Sequence, residues 1–280
     1  MADKLEMPAR VSCGALWKRA VSTLSFVSAY LRVNLAAAME YRASFITQCV
    51  GMMLNDAIMF VFWWLYFERF PAVRGWELRD VVMLWAVVAP SFGLAVTLFG
   101  NGSRLATLIV QGQLDYYLAL PRNVLLHVLV SRMSLPGWGD VAFGLAAFLL
   151  AGRLDPATIV LYSVLVGASM AVFLAFQVLA GSLAFFIGNA ETAATQAQNT
   201  LVTLSLYPGS LFRGWTKLLL FTLLPAAFTA HVPVELLRRF VPAGLAVLLG
   251  FACGSMALAV SVFRLGLRRY ESGNLMTLRG

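Results

Sequence analysis

Between Ser44 and Phe67 one charged side chain, Asp56, interrupts an otherwise uncharged run, and Ala157–Gly188 and Val241–Phe263 contain none at all. A helix rises about 1.5 Å per residue, so about 20 residues cross the roughly 30 Å of bilayer hydrocarbon. These runs are long enough to do so. A soluble domain carries about 25% charged residues, whereas this chain has 12% charged against 60% hydrophobic. So little charge cannot cover the surface of a water-soluble fold. The same figures exclude a disordered, collagenous, coiled-coil or disulfide-stapled chain. The 280 residues allow roughly six spans with their loops, and the expected fold is an all-α membrane bundle.

The spans can be placed from pattern. Trp17–Glu40 is amphipathic, with Leu24, Val27, Leu31 and Leu35 at helical spacing among Lys18, Arg19, Arg32 and Asn34, and is expected to lie in the membrane interface. The first span is Ser44–Phe67, closing on an aromatic cluster from Phe60 to Phe67. A polar loop, Glu68–Asp80, precedes a second span over Val81–Gly100 that contains Pro90, a kinking residue. The third is Leu135–Ala151, after Pro136-Gly137. The fourth, Ala157–Gly188, is over-long, and the last is Val241–Phe263. For the fifth, Leu218–Ala230 is apolar but short and broken by Pro225. The other choice is Thr192–Tyr207, rich in Thr, Gln and Asn and so expected to be protein-buried, with Pro208–Arg239 folding back as re-entrant helices. Pattern alone leaves both open.

Charge sets the orientation. Lys and Arg number 21 against 13 Asp and Glu, and thirteen of the cations fall in the N-terminal segment, the 101–134 loop and the C-terminal tail. Cytoplasmic loops hold such an excess, which places both termini inside. No basic run exceeds two residues, so the +8 balance speaks for lipid headgroups and not for nucleic acid. Met1–Arg10 lacks a short apolar core with a cleavage site, so the first span is expected to serve as its own insertion signal.

Several chemistries are missing. A phosphate-cradling loop needs glycine before lysine, but Lys4, Lys18 and Lys217 follow Asp, Trp and Thr. Two histidines, His127 and His231, and three scattered cysteines, Cys13, Cys49 and Cys253, make neither a metal motif nor a disulfide framework. Ser169 and Ser182 follow small residues within a span and read as packing contacts. No cofactor and no metal site is expected.

Asp56 stands near the middle of the first span, with Met52, Met59, Phe60 and Trp63 on or near its face. A carboxylate at that depth is costly and marks either a cargo path for a cation or a polar contact between helices. Asp140, early in the third span, can serve the path or simply complement the helix N-terminus. Glu191 is expected to be solvated. Gly250-x-x-x-Gly254, extended by Ala246, permits close helix approach, within the bundle or to a second subunit. In the 101–122 loop Ser103 can cap a short helix running to Gln111, which Gly112 would stop.

Glu40-Tyr41-Arg42-Ala43-Ser44-Phe45, Gly75-Trp76, Phe99-Gly100-Asn101, Gly112-Gln113-Leu114-Asp115-Tyr116-Tyr117-Leu118 with Pro121, Gly139-Asp140, Tyr207-Pro208, Leu224-Pro225-Ala226, Val232-Pro233 and Gly266-Leu267-Arg268-Arg269-Tyr270-Glu271-Ser272-Gly273 occur in order along residues 30–275. As a set they resemble six-span permease subunits of type-2 ABC exporters, in the subgroup that includes viologen-exporter-type permeases. The resemblance implies a non-catalytic bacterial inner-membrane subunit, paired with a second permease, often a sister protein, and docked on separate ABC ATPase subunits. It implies a cytoplasmic coupling helix within 103–120, with Arg104, Gln111, Gly112, Leu114 and Asp115 as coupling residues, and it favours 192–207 as the fifth span. The organisation it implies is a cytoplasmic 1–43, a transmembrane domain over 44–266 with re-entrant 208–239, and a cytoplasmic tail, 267–280. The cargo it suggests is a hydrophobic or cationic small molecule, along Asp56, Met52, Met59, Phe60, Trp63 and Asp140. The contrary expectation is an ATP-independent channel or secondary transporter using the intramembrane carboxylates.

Overall fold

The computed structural model describes residues 13–188, 190–212 and 214–270. Met1–Arg10, Arg213, Arg279 and the Glu271-Ser272-Gly273 ending lie outside the described residues, as do the side chains of Cys13, Lys18, Arg19 and Lys217. The fold is helical: α1 (Cys13–Glu40), α2 (Arg42–Arg69), α3 (Leu78–Leu98), α4 (Leu105–Val110), α5 (Leu114–Leu118), α6 (Val124–Val130), α7 (Gly137–Ala151), α8 (Pro156–Ser182), α9 (Glu191–Ser205), α10 (Trp215–Thr222), α11 (Val232–Arg238) and α12 (Pro242–Leu267). Among the described residues five stretches are long and apolar enough to cross a membrane, Val21–Glu40, Arg42–Arg69, Leu78–Leu98, Pro156–Phe185 and Pro242–Leu267, while Gly137–Ala151 is apolar but shorter.

Helix α3 is the axle, with 78% of its most apolar window buried, against 6% for α2. Pro90 sits inside it without ending it. Proline has no N–H, so the carbonyl one turn back, that of Ala86, loses its helical donor. The Tyr162 hydroxyl on α8 replaces that donor at 2.8 Å, and Tyr162 stacks on Phe148 of α7 at 3.8 Å between ring centroids. One proline thereby ties three helices together. Tyr162→Phe removes the donor and leaves a buried carbonyl unpaired, which costs about 1–3 kcal/mol. Thermal unfolding of the purified protein should show the loss, and an unchanged midpoint would mean the carbonyl finds another partner.

The connection between α2 and α3 turns tightly: Val73 and Trp76 exchange backbone hydrogen bonds across Arg74 and Gly75, both at positive φ (48° and 82°). Glycine takes that conformation without strain. The Arg74 guanidinium donates to the carbonyls of Ser210 and Leu211. Asp80 accepts from the Glu77 backbone N–H at 2.9 Å within its own loop, but its ionic contact lies elsewhere. Its partner is Arg238 on α11, at 3.0 Å, and Arg238 also lies over the Trp76 ring. The segment 208–239 thus packs on the α2–α3 hairpin end of the bundle.

That packing bears on the fifth helix. Leu218–Ala230 is not one helix: α10 stops at Thr222, Ala227–His231 is a π-turn and α11 follows. By contrast α9 runs unbroken from Glu191, whose carboxylate accepts from Thr107 of α4 at 3.2 Å, towards Tyr207, which meets Trp63 near the hairpin end. It connects the two ends of the bundle. Glu191 is therefore tied to the α4 loop and not simply solvated.

Other local expectations change. Ser103 does not cap α4. Its hydroxyl turns back to the Gly100 carbonyl, and Arg104 takes the cap position with no side-chain bond. The over-long fourth span resolves into α8, capped by Asp155 on the Thr158 N–H, and a 3₁₀ turn at Leu183–Phe185. The two hydrogen bonds from Thr158 hold the Asp155 carboxyl below its usual range. On α1, polar groups face the protein: Tyr30 bonds His127, Asn34 donates to the Val130 carbonyl, and Ser22 meets Arg122. Leu24 and Leu35 are exposed, while Val27 and Leu31 of the same stripe are half-buried. Gly250 and Gly254 have no neighbour within 4 Å of an added Cβ, so that motif makes no close approach within the described chain.

Candidate functional site

Helices α2 and α7 cross closely because α7 presents glycine. A Cβ on Gly139 would overlap the Cys49 carbonyl and stand 2.8 Å from Met52 Cβ, and the Cys49 thiol donates to the Leu135 carbonyl at 3.4 Å. The crossing sets Asp56 of α2 beside Asp140 of α7, 5% and 4% exposed. Their carboxyl groups are within hydrogen-bonding reach of each other. Carboxylate oxygens only accept, so a hydrogen bond between them requires a proton held in common.

The pair opens on a cavity of about 230 Å³. Its walls are Met52, Asn55 and Met59 of α2, Trp85, Val88, Ala89 and Phe92 of α3, and Val202 and Leu206 from the α9 side. Among the described residues no Lys, Arg or His lines it. Asp56 Oδ2 and the Trp85 indole N–H are both buried and unsatisfied by the protein. Unpaired polar groups in an apolar setting cost several kcal/mol in hydrocarbon-like surroundings, so the arrangement favours a guest that supplies positive charge or a hydrogen-bond donor to Asp56 Oδ2 and an acceptor to the indole N–H. The described residues contain no group of three or more His, Cys, Asp or Glu able to hold a metal.

Four of the six expected path residues, Met52, Asp56, Met59 and Asp140, therefore meet in one cavity. Phe60 lines a different groove with Trp64 and Phe143, and Trp63 is buried nearer the hairpin end against Phe67 and Tyr207. Spacing had put Trp63 on the right stripe, but seven residues of helix carry it roughly 10 Å along the axis. Trp85 and Leu206 gave no signal, because only tertiary packing brings them beside Asp56.

In the 104–118 loop, Gly112 has φ +70° and stops α4, as its sequence position suggested. Arg104 and Gln111 are exposed, as is Tyr116, which the sequence reading did not single out. Leu114 is fully buried, in a cluster with Leu105, Val128 and Phe263. Asp115 is half-buried near Tyr270, whose phenol is pushed up to about 12, by burial first and the Asp115 carboxylate second. His127, packed by Tyr30, Phe26 and Tyr117, has its imidazole pKa lowered by burial.

Helix α9 has two unlike faces. Ala194, Gln198, Leu201 and Ser205 are buried, whereas Thr192, Thr195, Gln196, Asn199 and Thr203 are exposed. The expectation that this polar helix is buried fails within the single chain: its polar side is the uncovered one.

The family model described as ABC-2 family transporter protein matches residues 53–273. The chain belongs to this family. Comparisons with curated proteins and with solved structures give no match. Membership makes the chain a multi-pass membrane component of an ABC transporter, a permease whose ATP hydrolysis lies in separate ABC ATPase subunits. The absent phosphate-binding loop agrees with that division of labour. The matched region takes in both carboxylates, the 104–118 loop and α9 of this ABC-2 permease.

Proposed function

We propose that this permease is one half of an ATP-driven exporter of hydrophobic or cationic small molecules, of the viologen-exporter type. In this reading α2, α3, α7, α8, α9 and α12 are the six crossings, α1 lies in the cytoplasmic interface, both termini are inside the bacterial inner membrane, and 208–239 is an outer re-entrant region. The observation that carries the pairing is the exposed polar face of α9, Thr192 to Thr203. Such a face is poorly solvated by lipid tails, whereas a second permease across a wet path satisfies it. The Asp56–Asp140 cavity lies behind that face, screened by Val202 and Leu206, and receives the positive end of the cargo.

Coupling to the ATPase falls to the 103–120 loop. Leu114 belongs to its core, so the exposed Arg104 and Gln111, together with Asp115, are the residues through which the stroke enters. Arg104→Glu with Gln111→Ala should leave folding unchanged, since both side chains are exposed. Cargo-stimulated ATPase activity should fall about tenfold as an interfacial charge is inverted. Affinity purification of the permease should bring down an ABC ATPase and a second permease. Reproducible absence of any ATPase from gently solubilised membranes would favour a proton-coupled carrier working through the carboxyl pair.

A further inference from the structure

At the α4–α6 end of the bundle a groove of about 690 Å³ opens between α6 and α12. Its floor is apolar, with Leu126 and Leu129 on one side and Met256 and Val260 on the other, and two arginines, Arg122 and Arg264, stand on it. Among the described residues the ion pairs both belong to Arg238, and neither groove arginine has a carboxylate in range. Arg122 is nonetheless held in place: its Nη1 donates to the Ser22 hydroxyl at 2.9 Å and its guanidinium lies 5.2 Å over the Phe26 ring. Those contacts are to a hydroxyl and a ring, so they fix its position without pairing its charge.

We propose that this groove is a binding site for an anionic phospholipid, whose phosphate is held by Arg122 and Arg264 and whose acyl chain lies between α6 and α12. Charge complementarity selects the occupant. Two arginines lining an otherwise largely apolar trough match a molecule with an anionic head and a hydrocarbon tail. The bilayer supplies such molecules, enriched at the cytoplasmic surface, the side on which the charge balance places this end of the chain. Arginine suits the role because its planar fork meets phosphate oxygens through two parallel hydrogen bonds. The site is distinct from the carboxyl pair and does not depend on what the permease exports.

The test is native mass spectrometry of the full-length permease released from membranes. Phosphatidylglycerol and phosphatidylcholine of identical chains are offered in parallel, with glycerol phosphate as the headgroup alone. Phosphatidylglycerol should be retained over phosphatidylcholine. Arg122→Gln with Arg264→Gln should reduce that preference about thirtyfold, from roughly 1 kcal/mol for each arginine. Val260→Trp fills the groove from α12 and leaves both guanidinium groups in place, so it provides an independent route, and it should also lose the bound lipid. Equal retention of the two lipids, or undiminished phosphatidylglycerol on either variant, overturns the site. Displacement by glycerol phosphate shows a free-anion site instead, and a second copy of the chain seated in the groove overturns the lipid assignment.

Discussion

With Asp56 and Asp140 both replaced by asparagine, ATP-driven uptake of a cationic dye into inverted vesicles, the equivalent of export from the cell, is expected to fall about a hundredfold. Insertion and ATPase binding should persist. Asparagine keeps the size of the side chain, and its amide supplies the donor that the carboxyl pair needs a proton to provide. What disappears is the negative charge in a cavity that no cationic side chain lines among the described residues. Losing the partner of a desolvated charge costs 2–5 kcal/mol, so about 3 kcal/mol and two decades of rate is the central expectation. The single variant Asp56→Asn retains one carboxylate, now bonded to an amide, and should be intermediate. A neutral hydrophobic substrate should be exported at the ordinary rate by both variants. If export of the cationic dye is unchanged as well, the carboxyl pair is a helix contact and the path follows the polar face of α9 alone.

The long helices were legible in sequence for a simple reason: apolar runs of 20 residues or more have few folds open to them. The boundaries of α2, α3, α8 and α12 differ from the expected spans by a few residues, mainly where charged ends such as Arg42 and Arg69 are still helical. The unreadable region was 189–239, because hydropathy scores Leu218–Ala230 without knowing that Asp80 and Trp76 receive Arg238 from beyond it. A long-range contact decides the local conformation there. The site was half legible. Asp56 is conspicuous because it is the only charge in its run, and Met52 and Met59 follow from helical spacing. Its meeting with Asp140 does not follow, since it depends on how closely α2 and α7 approach.

Small residues carry the other half of that lesson. Gly250-x-x-x-Gly254 has the motif but touches nothing within the described chain, while Gly93, Gly137 and Gly144, with no such spacing, are where α3 and α7 interlock. The reason is Pro90. A Cβ on Gly144 would overlap Pro90 Cδ and lie 2.9 Å from Cγ, and a pyrrolidine ring in mid-helix has no flexible end to move aside. Nor can α7 slide, because a Cβ on Gly93 would already stand 2.6 Å from the Gly137 carbonyl oxygen. Gly144→Val should therefore force the two helices apart, at a cost of 1–3 kcal/mol or more for overpacking. The displacement would also carry Asp140, one helical turn away, from Asp56. The expected result is a sharp loss of monodisperse protein and a lowered unfolding midpoint, with Gly144→Ala milder in both. Gly250→Ala is the internal control and should leave the isolated subunit's midpoint where it was. If Gly144→Val is tolerated as well as Gly250→Ala, then α3 and α7 are not locked at Pro90, and the geometry of the carboxyl pair must be held from the α2 side instead.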